Sequence, residues 1–440
     1  MPCRSSAGQS IAKRRAMKTN KQRTSTHIKI LAIASLIFIL ALSLTSCATT
    51  SSEFVTGYLD DYGVPRFVES KMRGVELVYR DYYVEDLPEA TELAKETAAL
   101  YFEHFHEKID TADKVAVTDA LIYCYIEAVG DKYSAYRNAK EHEEYDTDMS
   151  GSFYGIGVVV TYSYVDLTIT VNEVYSGGGA EEAGIKPGDV IKKVNGISVD
   201  EIGYDKAVNE IRGEPNTRVI ITVDRDGSEL SFDVTRKKVA RQSVSYSIDE
   251  NKIGYIKITS FKSNTPGQFK EAINYMEDMG AIGIIYDLRS NPGGYLSSVV
   301  DVLSYIAPKN TTIVSFSNNY KKTQRDNNSH SLALPTVVIC NEETASAGEL
   351  FTAAMRDFDD SLDIFKVTTV GQKTYGKGVL QNTYAFTDDS TITLTVAYYN
   401  PPCGINYDGV GILPDVQVAE SDEGDAQLDA AYTEIFKLIK

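Results

Sequence analysis

The sequence contains no tryptophan and, in 440 residues, only five histidines and five cysteines. The cysteines form no C-x-x-C pair, so neither a cysteine zinc site nor a dithiol redox site is indicated. Cys124 and Cys340 lie in apolar patterns that are typical of buried free thiols. Positive charge is also scarce, because 44 basic residues stand against 62 acidic ones and the net charge is -18. Nucleic-acid binding requires a basic surface, and this composition excludes nucleic acid as a partner.

The chain has one long hydrophobic run, residues 30–44, which falls short of the roughly 20 residues that a membrane-spanning helix needs. The preceding residues carry eight Lys and Arg and no acidic residue, as in a signal peptide. The run ends in LTSC, whose cysteine is Cys47, and this ending resembles the lipobox of bacterial lipoproteins. The resemblance implies that residues 1–46 are removed and that a lipid on Cys47 anchors the body to the bacterial cell membrane, outside the cytoplasm. The alternative is an uncleaved membrane anchor, and a start at Met17 would leave a shorter leader.

The rest of the chain has the composition of a multidomain globular protein, with 43% hydrophobic and 24% charged residues overall. After a polar tether at 47–68, apolar residues recur at helical spacing and predict a helical N-terminal domain over 69–149. Short strands separated by Gly and Asp turns follow over 150–240. Strands and helices then alternate over 241–440, with a helix predicted at 346–358 and a strand at 390–399, which indicates an α/β layer. The predicted fold class is therefore an α/β multidomain protein.

Residues 151–238 resemble a PDZ domain of the bacterial protease type, chiefly in FYGIGV and in AEEAGIKPGDVIKKVNGISV. Two helices are predicted there, at 178–184 and 201–212. The resemblance implies a peptide-binding groove at three residues whose backbone offers N–H groups to a terminal carboxylate: Gly155, Ile156 and Gly157. An extended peptide would add as a strand beside 156–162 and lie against the longer helix. The alternative is a PDZ fold that serves only as a rigid spacer.

Three segments in the C-terminal part carry reactive side chains next to glycines: DLRSNPGG (287–294), TASAGE (344–349) and GKGVLQ (376–381). Ser346 begins a predicted helix, where a serine is most often an N-cap, although a helix N-terminus also stabilises developing negative charge. A serine nucleophile needs a base, and His330, in a polar loop, is a poor candidate. Lys377 fits that role if burial depresses its pKa, and a solvated turn lysine is the alternative.

In order and sequence these segments resemble the C-terminal processing peptidases, or tail-specific serine proteases, which also have a leader, a helical region and a PDZ domain. The resemblance implies a crotonase-like or ClpP-like α/β core in which Ser346 is the nucleophile, Lys377 the general base and Gln381 the residue that orients the lysine amine. It assigns the oxyanion site to the N–H groups of Ala347 and either Gly293 or Gly294. No metal or cofactor is needed. The implied substrates are unfolded or exported proteins, captured by their C-termini, and a homo-oligomer is left open.

Other interpretations compete with a peptidase. Residues 371–377 spell G-x-x-x-x-G-K, as in a phosphate loop, but Gly378 stands where a Ser or Thr is required and a strand pattern follows. His104 and His106 lie two apart on a helical stretch and point to different faces, so a metal hydrolase is not favoured. The alternative that stays open is a membrane-tethered, non-catalytic scaffold that binds peptides through its PDZ domain.

Overall fold

The computed structural model describes residues 54–64, 69–163, 166–308, 310–317, 322–326, 334–362 and 366–440. The leader, Cys47 and His330 lie outside the described residues. A search of the described helices finds none with the length and hydropathy of a membrane span. The chain divides into two compact units, one formed by residues up to 76 with 88–128, the other by 77–87 with 129–440.

The first unit is helical. It opens with two 3-10 turns, Val55–Gly57 and Leu59–Tyr62. Helix α1 (Glu69–Tyr82) follows, of which residues 77–82 are assigned to the second unit, and then helices α2 (Ala90–His104) and α3 (Lys114–Val129). Helix α2 buries Leu93, Thr97 and Tyr101, which follow one another at four-residue spacing and so form one stripe of an amphipathic helix. Buried Glu76 of α1 accepts a hydrogen bond from the N–H of Thr56 at 3.0 Å, which ties the first turn to this helix.

The second unit begins with β1 (Ala135–Arg137) and α4 (Ala139–Met149). Asn138 begins α4 with a capping box, because its side chain accepts the Glu141 N–H and the Glu141 carboxylate accepts the Asn138 N–H. The predicted helical domain over 69–149 is thus divided differently in the structure. Residues 129–149 belong to the second unit because β1 pairs with a strand of the C-terminal core.

The PDZ region contains a sheet ordered β3-β4-β5-β7-β8, with β6 paired to β5, and a separate ribbon of β2 and β9. Its strands are β2 (Ser152–Gly155), β3 (Val158–Ser163), β4 (Thr168–Val174), β5 (Val190–Val194), β6 (Ile197–Ser198), β7 (Arg218–Arg225), β8 (Ser228–Thr235) and β9 (Lys237–Ala240). Its helices are α5 (Gly179–Ala183), α6 (Val199–Ile202) and α7 (Tyr204–Ile211). The single helix predicted at 201–212 is interrupted at Gly203, whose φ of 76° lies outside the helical region.

The core begins with a six-stranded sheet ordered β10-β11-β12-β15-β16-β19, in which β10 is antiparallel and the other strands are parallel. These strands are β10 (Val244–Ile248), β11 (Ile253–Ile258), β12 (Gly283–Asp287), β15 (Thr336–Cys340), β16 (Val367–Gly371) and β19 (Val416–Gln417). Four helices accompany it: α8 (Thr265–Met279), α9 (Leu296–Ile306), α10 (Ala347–Leu362) and α11 (Ala426–Ile439). Strands β12 and β15 are buried along their whole length, as parallel strands covered on both faces are.

Alternate side chains of the central strands enter two separate hydrophobic clusters. Ile284 and Tyr286 of β12 pack with residues of α8, α9 and α10, whereas Ile285 packs with Ile435 of α11 on the opposite face. The sheet is therefore a middle layer between three helices on one side and one helix on the other.

A second core sheet is antiparallel and has the order β1-β18-β13-β14, with β17 also paired to β18. Its strands are β13 (Thr312–Ser317), β14 (Lys322–Asp326), β17 (Val379–Ala385) and β18 (Thr391–Asn400), together with β1. Strand β18 pairs with β1 and β17 over the same residues, Thr391 to Thr393. Strand β18 therefore lies between β1 and β17, and it joins the segment before α4 to the sheet that contains the strand after Lys377.

Candidate active site

The predicted reactive segments leave the parallel sheet at the same edge. Strand β12 ends at Asp287, β15 ends at Cys340 and β16 ends at Gly371. The carboxyl ends of parallel strands share one edge of a sheet, which is where open α/β sheets bind their ligands. The glycine loop, the Ser346 loop and the Lys377 loop therefore start side by side. Residues 379–385 form a strand, whereas a phosphate loop would run into a helix.

Asn291 fixes the glycine loop against its neighbours. Its side chain is fully buried, and the amide Nδ2 donates to the carbonyl of Ile258 at 2.8 Å. Its Oδ1 accepts the N–H of Gly293 at 2.8 Å, and its backbone carbonyl accepts the N–H of Ala345 at 2.9 Å. The side chain and backbone of Asn291 thus hold the end of β11, the glycine loop and the residue before Ser346 together.

Ser346 occupies an unusual backbone position directly before α10. Its φ is 53°, in the left-handed region that non-glycine residues rarely adopt and that is often found at functional sites. Within the described residues its hydroxyl oxygen accepts no hydrogen bond from a backbone N–H of α10, so the side chain does not cap the helix. The Ser346 N–H instead donates to the Glu349 carboxylate at 2.9 Å. The carboxylate of Glu349 thus forms one half of a capping box, and the Ser346 side chain does not form the other half. Ser346 instead borders the cavity described below.

Glu349 connects the Ser346 loop to the Lys377 loop. The side chain is fully buried, and burial raises the pKa of its carboxyl, although four hydrogen bonds favour the charged form. One oxygen accepts from Ser346 N and Lys377 N, at 2.9 and 2.8 Å. The other accepts from Thr374 Oγ1 at 2.6 Å and Gly376 N at 2.7 Å. The backbones of Ser346 and Lys377 are thereby held by a single carboxylate.

Two tyrosines brace the same two loops. The Tyr399 hydroxyl donates to the carbonyl of Lys377 at 3.1 Å, and the Tyr407 hydroxyl donates to the carbonyl of Ser346 at 3.3 Å. The two hydroxyl oxygens lie 3.1 Å apart. Burial raises the pKa of both phenols, so they stay protonated and keep these contacts.

Lys377 has the environment that a neutral amine requires. Burial lowers the pKa of its amine, and the carboxylates of Asp131, Asp408 and Glu349 oppose part of this shift. The Nζ atom lies 4.7 Å from the centre of the Tyr133 ring. It forms no hydrogen bond with Ser346 Oγ within the described residues. Contacts of this kind often tighten only when a substrate binds.

The backbone N–H groups around Ser346 differ in their availability. The N–H of Gly293 is used by Asn291, whereas those of Gly294 and Ala347 bond to no described residue and border the cavity. A Cβ on Gly293 would lie 2.8 Å from Ser346 Cβ and 3.0 Å from Ala347 N. The glycine is therefore needed for this close approach, while Gly294 and Ala347 have the free donors.

A cavity of about 740 Å³ brings these groups together. It is bordered by Ser346, Ala347, Gly294, Lys377, Gln381 and Tyr133, among others. Gln381 does not form a hydrogen bond with Lys377 within the described residues. Its Nε2 donates to Val379 O and Thr395 Oγ1, each at 3.4 Å. No group of His, Cys, Asp and Glu side chains able to hold a metal ion occurs in the described ranges.

A second cavity of about 350 Å³ lies in the PDZ region, between β3 and α7. Gly155, Ile156 and Gly157 border it, as does Tyr204 of α7. Strand β3 is the edge strand of its sheet, so one side of its backbone has no partner strand there. The site predicted for peptide binding thus has an open edge and an adjoining groove.

Sequence reasoning missed the roles of three residues, one that holds the reactive loops and two that border the main cavity. The role of Glu349 had a local signal, because Ser346 and Glu349 have the S-x-x-E spacing of a capping box. Tyr133 and Arg137 had no such signal, since they are far from the reactive segments in the sequence and approach them only through the pairing of β1 with β18.

Cys124 and Cys340 are buried free thiols, and burial raises the pKa of both to about 12.

Comparison with known proteins identifies the class. The model of the PDZ domain matches residues 170–225, and the model of peptidase family S41 matches residues 252–418. A relative from Staphylococcus epidermidis (strain ATCC 12228 / FDA PCI 1200), named "Probable CtpA-like serine protease", is 30% identical over 411 residues, which cover 91% of this chain and 76% of the relative. This protein is therefore a mixed α/β protein with a PDZ domain and a peptidase core. The chain belongs to peptidase family S41.

Two further relatives with the same name are shorter matches. The protein from Staphylococcus haemolyticus (strain JCSC1435) is 34% identical over 69% of this chain, and that from Staphylococcus aureus (strain N315) is 33% identical over 70%. The chain spans 60% and 61% of the length of these two relatives.

Among solved structures, the photosystem II D1 C-terminal processing protease is 24% identical, with a TM-score of 0.44, over 84% of this chain and 94% of the other. A lipoprotein from Streptococcus agalactiae is 13% identical, with a TM-score of 0.47, over 90% of this chain and 99% of the other.

Proposed function

We propose that this protein is a serine endopeptidase of the C-terminal processing type, which cleaves peptide bonds with Ser346 as nucleophile and Lys377 as general base. The observation that carries the proposal is the arrangement around the main cavity. A serine hydroxyl that caps no helix and a buried lysine amine border one cavity, and their backbones are held by the same Glu349 carboxylate. Membership of the S41 family supports the same reaction class.

The reaction would proceed through an acyl-enzyme. Ser346 Oγ attacks the substrate carbonyl carbon while its proton passes to the neutral amine of Lys377. The tetrahedral oxyanion accepts hydrogen bonds from the free N–H groups of Ala347 and Gly294, and each such donor contributes about 3 to 4 kcal/mol in the transition state. The intermediate collapses, and the Lys377 ammonium returns the proton to the leaving amine. Lys377 then deprotonates a water molecule, which hydrolyses the ester and restores Ser346.

Gln381 enters this proposal as a positioning residue. It borders the cavity next to Lys377, and its present hydrogen bonds are long, at 3.4 Å. A change of side-chain rotamer would break only these two weak contacts. The carboxamide oxygen would then accept a hydrogen bond from the lysine amine and hold it toward Ser346.

The PDZ groove would supply the substrate. The open edge of β3 offers backbone hydrogen bonds to an extended peptide, and α7 provides the opposite wall. The backbone around Ile156 and Gly157 would receive the terminal carboxylate. Unfolded or exported proteins with free C-termini are the substrate class that suits this groove.

Cys47 is proposed as a lipid attachment site on sequence grounds alone, and it would anchor the protein to the outer face of the bacterial cell membrane. The test is expression of the full chain and of Cys47→Ser in a bacterium, followed by detergent partitioning and mass measurement of the N-terminal peptide. A diacylglycerol-modified N-terminus at Cys47, lost in the variant, is the expected result. An unmodified N-terminus retained at residue 1 would contradict it.

The peptidase activity is tested with the full chain, an unstructured protein bearing an apolar C-terminus, and four variants. Ser346→Ala should abolish cleavage, and Lys377→Ala should slow it by roughly a hundredfold to ten-thousandfold, the usual contribution of a general base. Lys373→Ala is the matched control, because this lysine is exposed and lies in the same turn. His330→Ala tests the histidine alternative. Both controls should retain cleavage.

The outcomes separate the peptidase from the scaffold. Cleavage that survives in Ser346→Ala would overturn the assignment of the nucleophile. Cleavage that is lost in His330→Ala and kept in Lys377→Ala would replace the base. No cleavage by the wild-type chain, with the peptide still bound, would favour the non-catalytic, membrane-tethered scaffold.

A further inference from the structure

The main cavity has a second polar region that the proposed catalytic steps do not use. Arg137 at the end of β1, His142 on α4, and Thr391 and Thr393 on β18 all border the cavity. The Cα of Arg137 lies opposite that of Thr391 in the antiparallel pair of β1 and β18. Residues opposite each other in such a pair project from the same face of the sheet, so both side chains face the cavity from one wall.

Arg137 is held in a fixed orientation by two contacts. Its Nη1 donates to Thr393 Oγ1 at 2.8 Å, and its guanidinium lies 3.9 Å from the centre of the Tyr145 ring. These contacts leave Nε and Nη2 without an acceptor among the described residues, and no described carboxylate forms an ion pair with Arg137. A stacked, tethered guanidinium with unused donors is ready to bind a planar anion.

Two further polar atoms in this wall lack partners. Thr391 is fully buried, and its Oγ1 has no hydrogen-bond partner in the described residues. His142 Nδ1 also has no hydrogen-bond partner in the described residues, while His142 Nε2 lies 3.4 Å from the carboxylate of Asp146. A buried hydroxyl without a partner costs about 1 to 3 kcal/mol, which a bound ligand would recover by accepting its hydrogen bond.

The charge of this wall is opposite to that of the whole chain. The net charge of the protein is -18, yet Asp146 is the one carboxylate that borders the cavity in the described ranges, and it faces His142. Arg137 therefore borders the cavity without an ion-pair partner among the described residues. An anionic group is the ligand that this combination of donors would favour.

We propose that Arg137 and Thr391 form a subsite that binds a carboxylate of the peptide being cleaved. The inference rests on the proposed peptidase function and narrows its substrate class to peptides that carry a carboxylate able to reach Arg137 in this cavity. Arg137 binds the carboxylate through its free Nε and Nη2 donors, and the Thr391 hydroxyl donates to the same group.

The bound carboxylate has two possible sources in a peptide. It is either the C-terminal α-carboxylate or the side chain of an Asp or Glu.

The experiment uses four peptides of one sequence and the full chain. They combine a free or amidated C-terminus with Glu or Gln at the internal position where a preliminary scan of Glu along the peptide gives the highest kcat/KM. For the wild type we expect kcat/KM to be about tenfold to a hundredfold higher for a peptide with the preferred carboxylate than for its neutral partner. The pair that shows this ratio identifies the source. Arg137→Gln should reduce the ratio to about one, and Thr391→Val should reduce it partly.

Arg218→Gln is the matched control, because Arg218 pairs with Asp233 on the exposed face of the PDZ sheet. It should keep the wild-type ratio. A ratio that is unchanged in both Arg137→Gln and Thr391→Val would overturn the subsite, as would a wild-type ratio of one for both peptide pairs.

Binding to an inactive chain separates this inference from the proposed function. Fluorescence anisotropy compares the affinity of the four peptides for Ser346→Ala and for Ser346→Ala with Arg137→Gln, so the contribution of the PDZ groove is the same in both. Carboxylate-dependent binding that is lost in the double variant supports the subsite even if the wild type cleaves nothing. Cleavage by the wild type with equal binding to both variants would retain the peptidase and reject the subsite.

Discussion

Lys377 is subject to two opposing effects on its charge. Burial disfavours the ammonium form and lowers the pKa of the amine. The face of the Tyr133 ring, 4.7 Å from Nζ, stabilises the same ammonium and therefore opposes the shift. The pKa of the Lys377 amine thus depends on the Tyr133 ring, which comes from a distant part of the sequence, as well as on burial.

Replacing the ring should move the acid limb of the pH profile. In Tyr133→Leu the side chain stays apolar, so burial is largely preserved while the cation–π contact is lost. The Lys377 pKa should fall further, and the neutral amine should persist to lower pH. We expect the acid limb of kcat/KM to shift down by about half a unit to one and a half units. A series of kcat/KM values against pH measures the shift.

Tyr133→Phe is the matched variant, because it keeps the ring and removes only the hydroxyl. Its acid limb should remain at the wild-type pH. An acid limb that stays in place or moves to higher pH in Tyr133→Leu would show that the ring does not stabilise the ammonium.

At the residue scale, local patterns could predict the reactive groups but not their surroundings. Ser346 and Lys377 were predicted from motifs, and the structure places both at one cavity. The hydrogen bond from Gln381 to Lys377 is absent from the described contacts, because a carboxamide rotamer is decided by its neighbours rather than by spacing. Tyr133 could not be predicted, since only the pairing of β1 with β18 brings its segment to the site.

At the element scale, the approach of the glycine loop to the start of α10 determines the geometry of the proposed oxyanion site. Gly293 has a φ of 101°, and a Cβ there would lie 2.8 Å from Ser346 Cβ and 2.9 Å from the carbonyl oxygen of Ala345. The loop and the helix start can therefore only keep this distance with glycine at position 293.

Gly293→Ala should separate the two elements and inactivate the protein. A displacement of about 1 Å at the site is enough to cost roughly a hundredfold in rate, so kcat should fall by at least that factor. The measurement is kcat on the unstructured substrate, with far-UV circular dichroism to verify folding. A folded Gly293→Ala variant with wild-type kcat would contradict the role of this close contact.

Gly267→Ala is the matched control, since Gly267 lies in the first turn of α8 and a Cβ there would meet nothing within 4 Å. This variant should keep wild-type kcat. Its free energy of unfolding should rise by about 0.5 to 1 kcal/mol, because alanine loses less backbone entropy than glycine in a helix.

Most elements of the core were predictable because their patterns are strong. Buried parallel strands such as β12 and β15 are continuous apolar runs. In the antiparallel sheet, the predicted strand at 390–399 is observed as Thr391–Asn400. The predicted helix at 346–358 extends to Leu362. The observed helix begins one residue later than predicted, at Ala347, because Ser346 adopts a left-handed conformation that no helix propensity indicates.

At the scale of the whole molecule, the two compact units should respond differently to pH. Glu76 is a buried carboxyl of the first unit, its Oε2 has no hydrogen-bond partner in the described residues, and burial raises its pKa to about 7. Between its ordinary value of 4.5 and about 7, the folded unit holds a proton that the unfolded chain releases. The first unit should therefore lose stability as pH rises through this window.

Glu76→Gln should remove that dependence. A shift of this size corresponds to about 3 kcal/mol, so the variant should be more stable than the wild type by up to about that amount at pH 8 and about equal at pH 4. Hydrogen exchange measured on peptides from α2 and α3 reports the opening free energy of this unit alone. Peptides from the parallel sheet should exchange equally in both proteins.

Glu96→Gln serves as the control, because Glu96 is an exposed residue of α2 and its replacement removes the same charge. Its exchange should match that of the wild type at both pH values. Equal exchange of Glu76→Gln and wild type at pH 8 would mean that the buried carboxyl carries no cost.

The sequence by itself determined the order of the PDZ region and the peptidase core and most strands and helices of the core, and it singled out Ser346 and Lys377 as candidates, because hydrophobic periodicity and glycine-flanked motifs are local properties. Only the tertiary structure decided that the N–H groups of Gly294 and Ala347 bond to no described residue, that Glu349 holds the backbones of Ser346 and Lys377, and that Arg137 and Tyr133 border the same cavity. These features depend on strand pairing between distant segments and on competition for hydrogen-bond partners. Neither is encoded by the residues next to them in the chain.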